Sequence, residues 1–356
     1  MISLMIVLLL GLIASAVQAQ QQRLRVTFRL ERPILLKEPP EAYMQTVTSV
    51  TRLDSLLWIT GGQPGSTVLY VYDLNGQFIQ QVGEQGDGPH AYRSAGFLRI
   101  FQDTLWLWDN MGLRLLGIDP QTRQVVQRYV DFSLNCQDFI YRYPFVIFSH
   151  SQRTSQFITI FDLRYKRYVA SFGEGQYEDV ILSLMAGTGH LAYEDSLVYF
   201  ARPSQAALYR LHLRTRQIQR FPLEVPGFTA ASYEGPRVPA LTPQAVRYIF
   251  THSVNRGVWR TRTGLVLLVD TGAFQFKGFS PVSNGNRSLN FVIVDFRTLQ
   301  QIGHIHFETD FIVKNGLNQF VGWDPETTTF YFYSVREEEP LHQLTPVRFY
   351  LEPEAH

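Results

Sequence analysis

Two short phrases recur along the chain and alternate with each other. A polar or turn residue leading into an aromatic-rich strand occurs six times, at 54–58, 103–108, 143–148, 195–199, 263–268 and 327–332. A strand end running into a tight turn occurs five times, at 73–77, 119–124, 162–167, 212–217 and 295–300. Interleaved copies at this spacing describe one small β-unit repeated about six times. Such a unit cannot bury both of its faces alone, so successive sheets stack around an axis and share apolar surface. The expected fold is all-β: a six-bladed β-propeller of four-stranded antiparallel blades.

A closed ring makes one domain of a chain of 356 residues. Aromatic residues reach 14% and suit sheets packed face to face. A net charge of +1 lacks the basic excess of a nucleic-acid binder. Lysine occurs only at 37, 166, 277 and 314, so nearly all the cations are arginine.

Residues 2–17 are almost entirely apolar and lead into Val17-Gln18-Ala19, followed by three glutamines. This predicts a signal peptide over 1–19, a mature domain over 20–356 with no membrane span, and a periplasmic or secreted location. Cys136 is the single cysteine, which excludes an internal disulfide and suits a small buried apolar residue.

Strands A to D of each blade run outward from the axis. Blade 1 takes about 45–83, blade 2 96–131, blade 3 136–173, blade 4 188–222, blade 5 256–307 and blade 6 318–350. The last blade offers only three strands. Leu24, Val26, Phe28 and Leu30 alternate with Arg25, Thr27 and Arg29, a period of two that predicts the missing outer strand. The long connections 60–67, 83–95, 173–189, 221–257 and 271–288 share one face, where binding groups usually sit. The largest insertion, about 226–257 between blades 4 and 5, carries a helix. Thr242-Pro243 caps it, Gly257 ends it, and Val246, Ile249, Phe250 and Val254 form its apolar stripe.

The junction of blades 1 and 2 reads Tyr72-Asp73-Leu-Asn-Gly76-Gln-Phe78, Val82-Gly83-Glu-Gln-Gly86-Asp-Gly88-Pro89, Asp109-Asn110 and Arg114 before the next strand. It resembles the NHL repeat, and the chain is similar to the exported bacterial NHL/TolB-like six-bladed propellers. That resemblance implies the ring. It leaves function open among binding modules, lactonases and lyases.

The glycine-rich 83–89 loop meets a strand rather than a helix, unlike a phosphate cradle. His304 and His306 lie two apart on one strand with Glu308 in phase, the candidate for a zinc or other metal site. The resemblance implies calcium ligands for a lactonase, with candidates Asp109, Asn110, Asp138, Glu194 and Asn255. For a lyase it implies His, Tyr and Arg, with candidates His90, Tyr92, Arg93, His150 and His252. No Gly-x-Ser-x-Gly elbow occurs, and the sequence identifies neither a catalytic residue nor a cofactor.

Arginine and tyrosine, which often anchor interfaces, fall on the long-loop side. The partner-binding candidates are Tyr92, Arg93, Asp109, Asn110, Arg114, Arg153, Arg202 and Arg336, with Arg287, Lys277, Tyr177, Tyr233, Phe274 and Phe276 nearby. The sequence thus points to an exported module that binds a protein, peptide or glycan, as a monomer or a subunit of an envelope complex. The alternative is a calcium- or zinc-dependent hydrolase or lyase at the mouth of the central channel.

Overall fold

The computed structural model describes residues 24–353 except 39–43, 64, 131, 150–155, 184–189, 231, 238–241, 263, 273–274, 278–279, 284–286 and 336–340. The expected signal peptide, His150, Arg153, Phe274 and Arg336 lie outside the described residues.

Strands β1 (Leu24–Leu30) and β2 (Ile34–Leu36) precede β3 (Thr46–Leu53), β4 (Leu56–Gln63), β5 (Ser66–Asp73) and β6 (Phe78–Val82). A short parallel pair, β7 (Glu84–Gln85) and β8 (Ala91–Tyr92), leads to β9 (Ala95–Phe101), β10 (Thr104–Asp109), β11 (Arg114–Asp119) and β12 (Gln124–Tyr129). Strands β13 (Asp138–Arg142), β14 (Phe145–Ser149), β15 (Gln156–Asp162) and β16 (Arg167–Glu174) end at helix α1 (Tyr177–Leu182). Then come β17 (Ala192–Glu194), β18 (Leu197–Ala201), β19 (Ala207–His212), β20 (Gln217–Pro222) and helix α2 (Pro243–Thr251). Strands β21 (Val254–Arg260) and β22 (Gly264–Thr271) are followed by the hairpin β23 (Gln275–Lys277) and β24 (Ser280–Ser283), then β25 (Ser288–Asp295) and β26 (Gln301–Phe307). Helix α3 (Thr309–Lys314) and strands β27 (Gln319–Asp324), β28 (Thr329–Val335) and β29 (His342–Pro353) complete the chain.

The arrangement is all-β and propeller-like. Among the described residues, hydrogen bonding forms four separate four-stranded sheets, β9–β12, β13–β16, β17–β20 and β21-β22-β25-β26. The expectation of six separate blades is corrected here. The first and last repeats merge into one nine-stranded sheet, ordered β1-β29-β28-β27-β3-β4-β5-β6 with β2 also on β29. One parallel pair, Gly322 with Val50, joins its halves. Gly322 permits that approach, because a Cβ there would stand 2.0 Å from the Val50 carbonyl oxygen.

The N-terminal strand takes the edge that its alternation predicts. β1 runs antiparallel to β29 from Leu24 opposite Pro353 to Leu30 opposite Val347. Val26 and Leu30 pack on the core beneath, and the Phe28 ring lies 4.6 Å from Phe307 and 6.0 Å from Phe311. Gly303 on the neighbouring β26 leaves the space that Val26 fills.

The recurrent turn phrase has a common cause. Asp73, Asp119, Asp162 and Asp295 each accept, through Oδ1, the backbone N–H two residues on. His212 does the same with Nδ1 for Arg214. The side chain replaces a backbone acceptor and fixes the turn. The aromatic phrases supply the core: Trp58, Trp106, Trp108, Tyr199 and Phe200 are fully buried. Between the second and third repeats, Trp106 stacks on Tyr141 with centroids 4.0 Å apart. Cys136 is buried in this layer beside Trp108 and Phe132, and burial pushes its thiol well above the ordinary range.

Two expected boundaries are corrected. Residues 60–67 are not a long loop: β4 and β5 pair down to Gln63 and Ser66. Gly61 and Gly62 belong to the ladder because the backbone at Thr46 and Ser66 leaves no room for Cβ atoms. Helix α2 has the expected Thr242 cap and first-turn proline, but it ends at Thr251. Val254 leaves the helical stripe and pairs with Asp270, while Gly257 sits in strand β21 with φ +148 against His190.

Candidate functional site

The longest insertions converge on one side of the fourth repeat. Gln176 opens α1, and its backbone N–H donates to Asp179 Oδ2 at 3.0 Å. Asp179, 1% exposed, also accepts Arg202 Nε and Nη2 at 2.9 and 2.6 Å and Ser204 N and Oγ at 3.1 and 2.6 Å. One carboxylate thereby fastens α1 to the β18–β19 connection. Glu178 accepts the Tyr233 N–H at 2.9 Å and holds the following insertion.

Helix α2 packs on α1 through Ile181, Leu182, Tyr233, Ala245, Tyr248 and Ile249. Thr242 caps α2 by accepting the Ala245 N–H at 3.1 Å. The rings of Tyr177, Tyr233, Tyr248 and His252 follow one another at 5.6, 5.3 and 4.1 Å. This aromatic run stiffens the wall of an open groove of about 970 Å³. Tyr177, Gln176, Gln205, Phe228, Arg220 and Arg237 line it, with Arg237 over the Tyr177 ring. Aromatic faces, amides and guanidinium groups together provide stacking, neutral hydrogen bonds and charge.

The residues singled out in the sequence separate into two groups. Arg93, Asp109, Asn110 and Arg114 do come together with Tyr92, yet mainly to build the junction between the first two repeats. Asp109 is fully buried and accepts the N–H groups of Arg93, Ser94 and Gly112 as well as Arg114 Nε. The Tyr92 hydroxyl donates to Val82 and accepts from Leu69 inside the core. Tyr92, Asp109 and Arg114 are thus buried groups with partners inside the junction. The reason is the crossing itself, whose backbone donors and tight glycine turn need internal acceptors. Arg93 remains exposed and pairs with Asp87 at 2.6 Å, and Asn110 is exposed. Arg202 is bound to Asp179 behind the groove, and Arg287 is bound to Asp270.

Most of the described metal candidates are held by protein partners. His304 and His306 both hydrogen-bond to Asn290 Oδ1 at 2.8 Å, and Glu308 begins α3 instead of joining them. Asp138 pairs with Arg99, Glu194 with Arg260, and Asn255 donates to the Gln205 carbonyl. His90 hydrogen-bonds to Val125 O and His252 to Tyr248 O. Among the described residues no group of three His, Cys, Asp or Glu side chains is placed to hold a metal ion.

A second constellation joins the innermost strands, and sequence reasoning missed most of it. Arg99 Nε on β9 donates to Asp138 Oδ1 on β13 at 2.6 Å, and Arg99 Nη2 donates to His190 Nδ1. Asp138 Oδ2 accepts the Leu191 N–H at 2.8 Å. The His190 ring meets Trp259 at 4.8 Å and Phe320 at 5.4 Å. Burial works to raise the Asp138 carboxyl, but Arg99 and His190 outweigh it and hold the group below its ordinary value. Burial holds His190 below its own. A cavity of about 290 Å³ adjoins this cluster, lined in part by Arg99, Tyr193, Trp259 and Trp323.

No protein-family profile and no curated protein matches the chain. Solved structures do match it. A member of the DUF4221 family from Bacteroides vulgatus superposes with a TM-score of 0.63 at 10% identity, covering 93% of this chain and all of that one. A Bacteroides fragilis protein named "Putative exported protein" gives 0.63 at 13% identity, over 91% of this chain and 95% of that one. At these identities the likeness is one of fold, the all-β, propeller-like arrangement described above. Among the described residues no helix is long and apolar enough to cross a membrane.

Proposed function

We propose that the chain is an exported, NHL/TolB-like β-propeller that binds an extended partner, a protein segment, peptide or glycan, on its long-loop face. In this reading the nine-stranded sheet counts as the first and last blades of a six-bladed ring. Successive inner-strand contacts support that count: Thr51 to Leu98, Arg99 to Asp138, Asp138 to Leu191, His190 to Trp259 and Phe320, and Gly322 to Val50. Export is supported by the apolar N-terminal segment before Ala19 and by the name of the Bacteroides fragilis neighbour.

The observation that carries the reading is the groove beside α1. At about 970 Å³ it lies at the upper end of the range of binding pockets, roughly 300–1,000 Å³. Its rim carries the exposed Arg220 and Arg237, and its wall is held from behind by Asp179. Rigid aromatic anchors with adaptable amides suit a polar chain laid along a surface. Peptide and glycan arrays probed with the mature protein test this. Retention of one polymer class, lost on Tyr177→Ala with Arg237→Ala, supports the reading; retention unchanged by those substitutions rejects the groove.

A further inference from the structure

The third and fourth repeats part at their turn ends and leave an open wedge of about 670 Å³. Its mouth is formed by the turns at 142–145, 195–196 and 213–216, at the other end of the strands from the groove beside α1. Ile147 of β14, Ile160 of β15 and Ala170 and Phe172 of β16 line one wall, and Leu213 lines the other. Ile147 pairs with Ile160 and Ile160 with Ala170, so these side chains share one face of the sheet. Ile147, Ile160, Phe172 and Leu213 join the apolar core between the two repeats. The ladder slips at Ile160, where pairing passes from Ala170 to Tyr168 and leaves Val169 out. Val169 is 41% exposed in consequence, and Tyr143 at the mouth is 62% exposed.

The mouth is basic. Among the described residues lining it, Arg142, Arg214 and Arg216 accompany a single carboxylate, Asp195. Arg142 is engaged, donating through Nη1 to the Asp195 carbonyl and lying 5.4 Å over the Tyr193 ring. The Arg214 and Arg216 side chains stand exposed on the β19–β20 turn, with no hydrogen bond or ion pair among the described residues. His212 Nδ1 fixes that turn by accepting the N–H groups of Arg214 and Thr215 at 3.2 and 3.3 Å. An apolar interior under a cationic mouth complements an anion that carries an apolar tail. The backbone of the interior wall is already paired in the β14–β15–β16 ladder, so it leaves little for the N–H and C=O groups of a peptide. An alkyl chain needs no such partners. We propose that the wedge binds a fatty acid, its alkyl chain against Ile147, Ile160 and Phe172 and its carboxylate at Arg214 and Arg216. Planar guanidinium groups match carboxylate geometry. The site lies apart from the groove at α1 and stands or falls without it.

Isothermal titration of the protein over residues 20–356 with decanoate, below its micelle concentration, tests the proposal against decyltrimethylammonium, which has the same tail and the opposite charge. Saturable binding of decanoate, about tenfold tighter than that of the cation, is expected. Each two-carbon extension from octanoate to decanoate to dodecanoate should tighten binding roughly fivefold or more, since burying one CH₂ is worth about 0.8 kcal/mol. Arg214→Gln combined with Arg216→Gln should weaken decanoate about fivefold. Both side chains are exposed and the turn is held by His212, so the variant keeps its fold. Val169→Asp, also at an exposed position, places a carboxylate in the wedge and should weaken decanoate as well. Equal affinity for decanoate and the cation overturns the proposal, as does affinity independent of tail length or unchanged in the arginine variant. A glutamate-rich peptide that binds wild-type protein but not the arginine variant, with decanoate binding neither, assigns the mouth to an acidic partner chain and also overturns it.

Discussion

Replacing Asp179 by alanine removes the carboxylate that ties α1 to the β18–β19 connection. Five hydrogen bonds converge on its two oxygens, two of them from Arg202 and two from Ser204. The substitution strands the Arg202 guanidinium, whose side chain is 13% exposed, together with two backbone donors. Breaking a buried pair from one side costs about 3–5 kcal/mol, because the other charge stays out of water. Unfolding entropy of about 2.1 cal/mol/K per residue, over roughly 330 residues, is about 0.7 kcal/mol/K. The melting temperature should therefore fall by about 4–7 °C. Asp179→Asn keeps one acceptor oxygen and should lose about half as much. Scanning calorimetry with guanidinium denaturation measures both, and partner binding in the groove should fall with α1. An Asp179→Ala protein within about 1 kcal/mol of wild type would refute the reasoning, since surface changes span roughly ±0.5 kcal/mol.

Other outcomes follow from the same geometry. Removal of residues 24–32 strips β1 from β29 and uncovers Val26 and Leu30, with an expected loss of about 3–6 kcal/mol and a lower melting temperature; an unchanged melt contradicts that fastening role. Gly322→Ala drives a Cβ against the Val50 carbonyl and should cost about 2–3 kcal/mol, while Gly88→Ala, whose nearest neighbour would be 3.6 Å away, should change stability little. Acid titration of stability should show Asp270. Its folded value of about 2 lies below the unfolded one of about 3.9, so its contribution is complete above pH ~5 and disappears between pH ~4 and ~2. Asp270→Asn should remove that part of the acid limb. His190, held neutral by burial, should lower stability as pH falls below about 6.5, because the unfolded chain takes the proton first.

The repeats were legible because their causes are local. An Asp accepting an N–H two residues on leaves its mark at every strand C to strand D turn, and even the His212 substitute kept the phrase intact. The β1 edge was legible from alternation alone. Helix α2 was drawn too long because Val254 fits the helical phase; pairing with Asp270 decided its state, and that partner is distant in sequence. Residues 60–67 read as a loop because Gly61 and Gly62 suggest turns, whereas close backbone packing demands them in a ladder. The Arg99–Asp138–His190 and Asp179–Arg202 constellations carry no periodic signal, since their members come from different repeats. Tyr92 and Arg114 belong to the long-loop side in the sequence, and the junction between the first two repeats buries both side chains.

The groove beside α1 is the centre of the functional reading, and one binding comparison tests it most directly. The protein over residues 20–356 and its Tyr177→Ala, Arg237→Ala variant are each immobilised, exposed to the best-retained ligand of the peptide and glycan arrays, and compared by equilibrium binding. The account predicts at least a tenfold loss in the variant, measured well below the melting temperatures of both proteins. Equal affinity in the two proteins contradicts it.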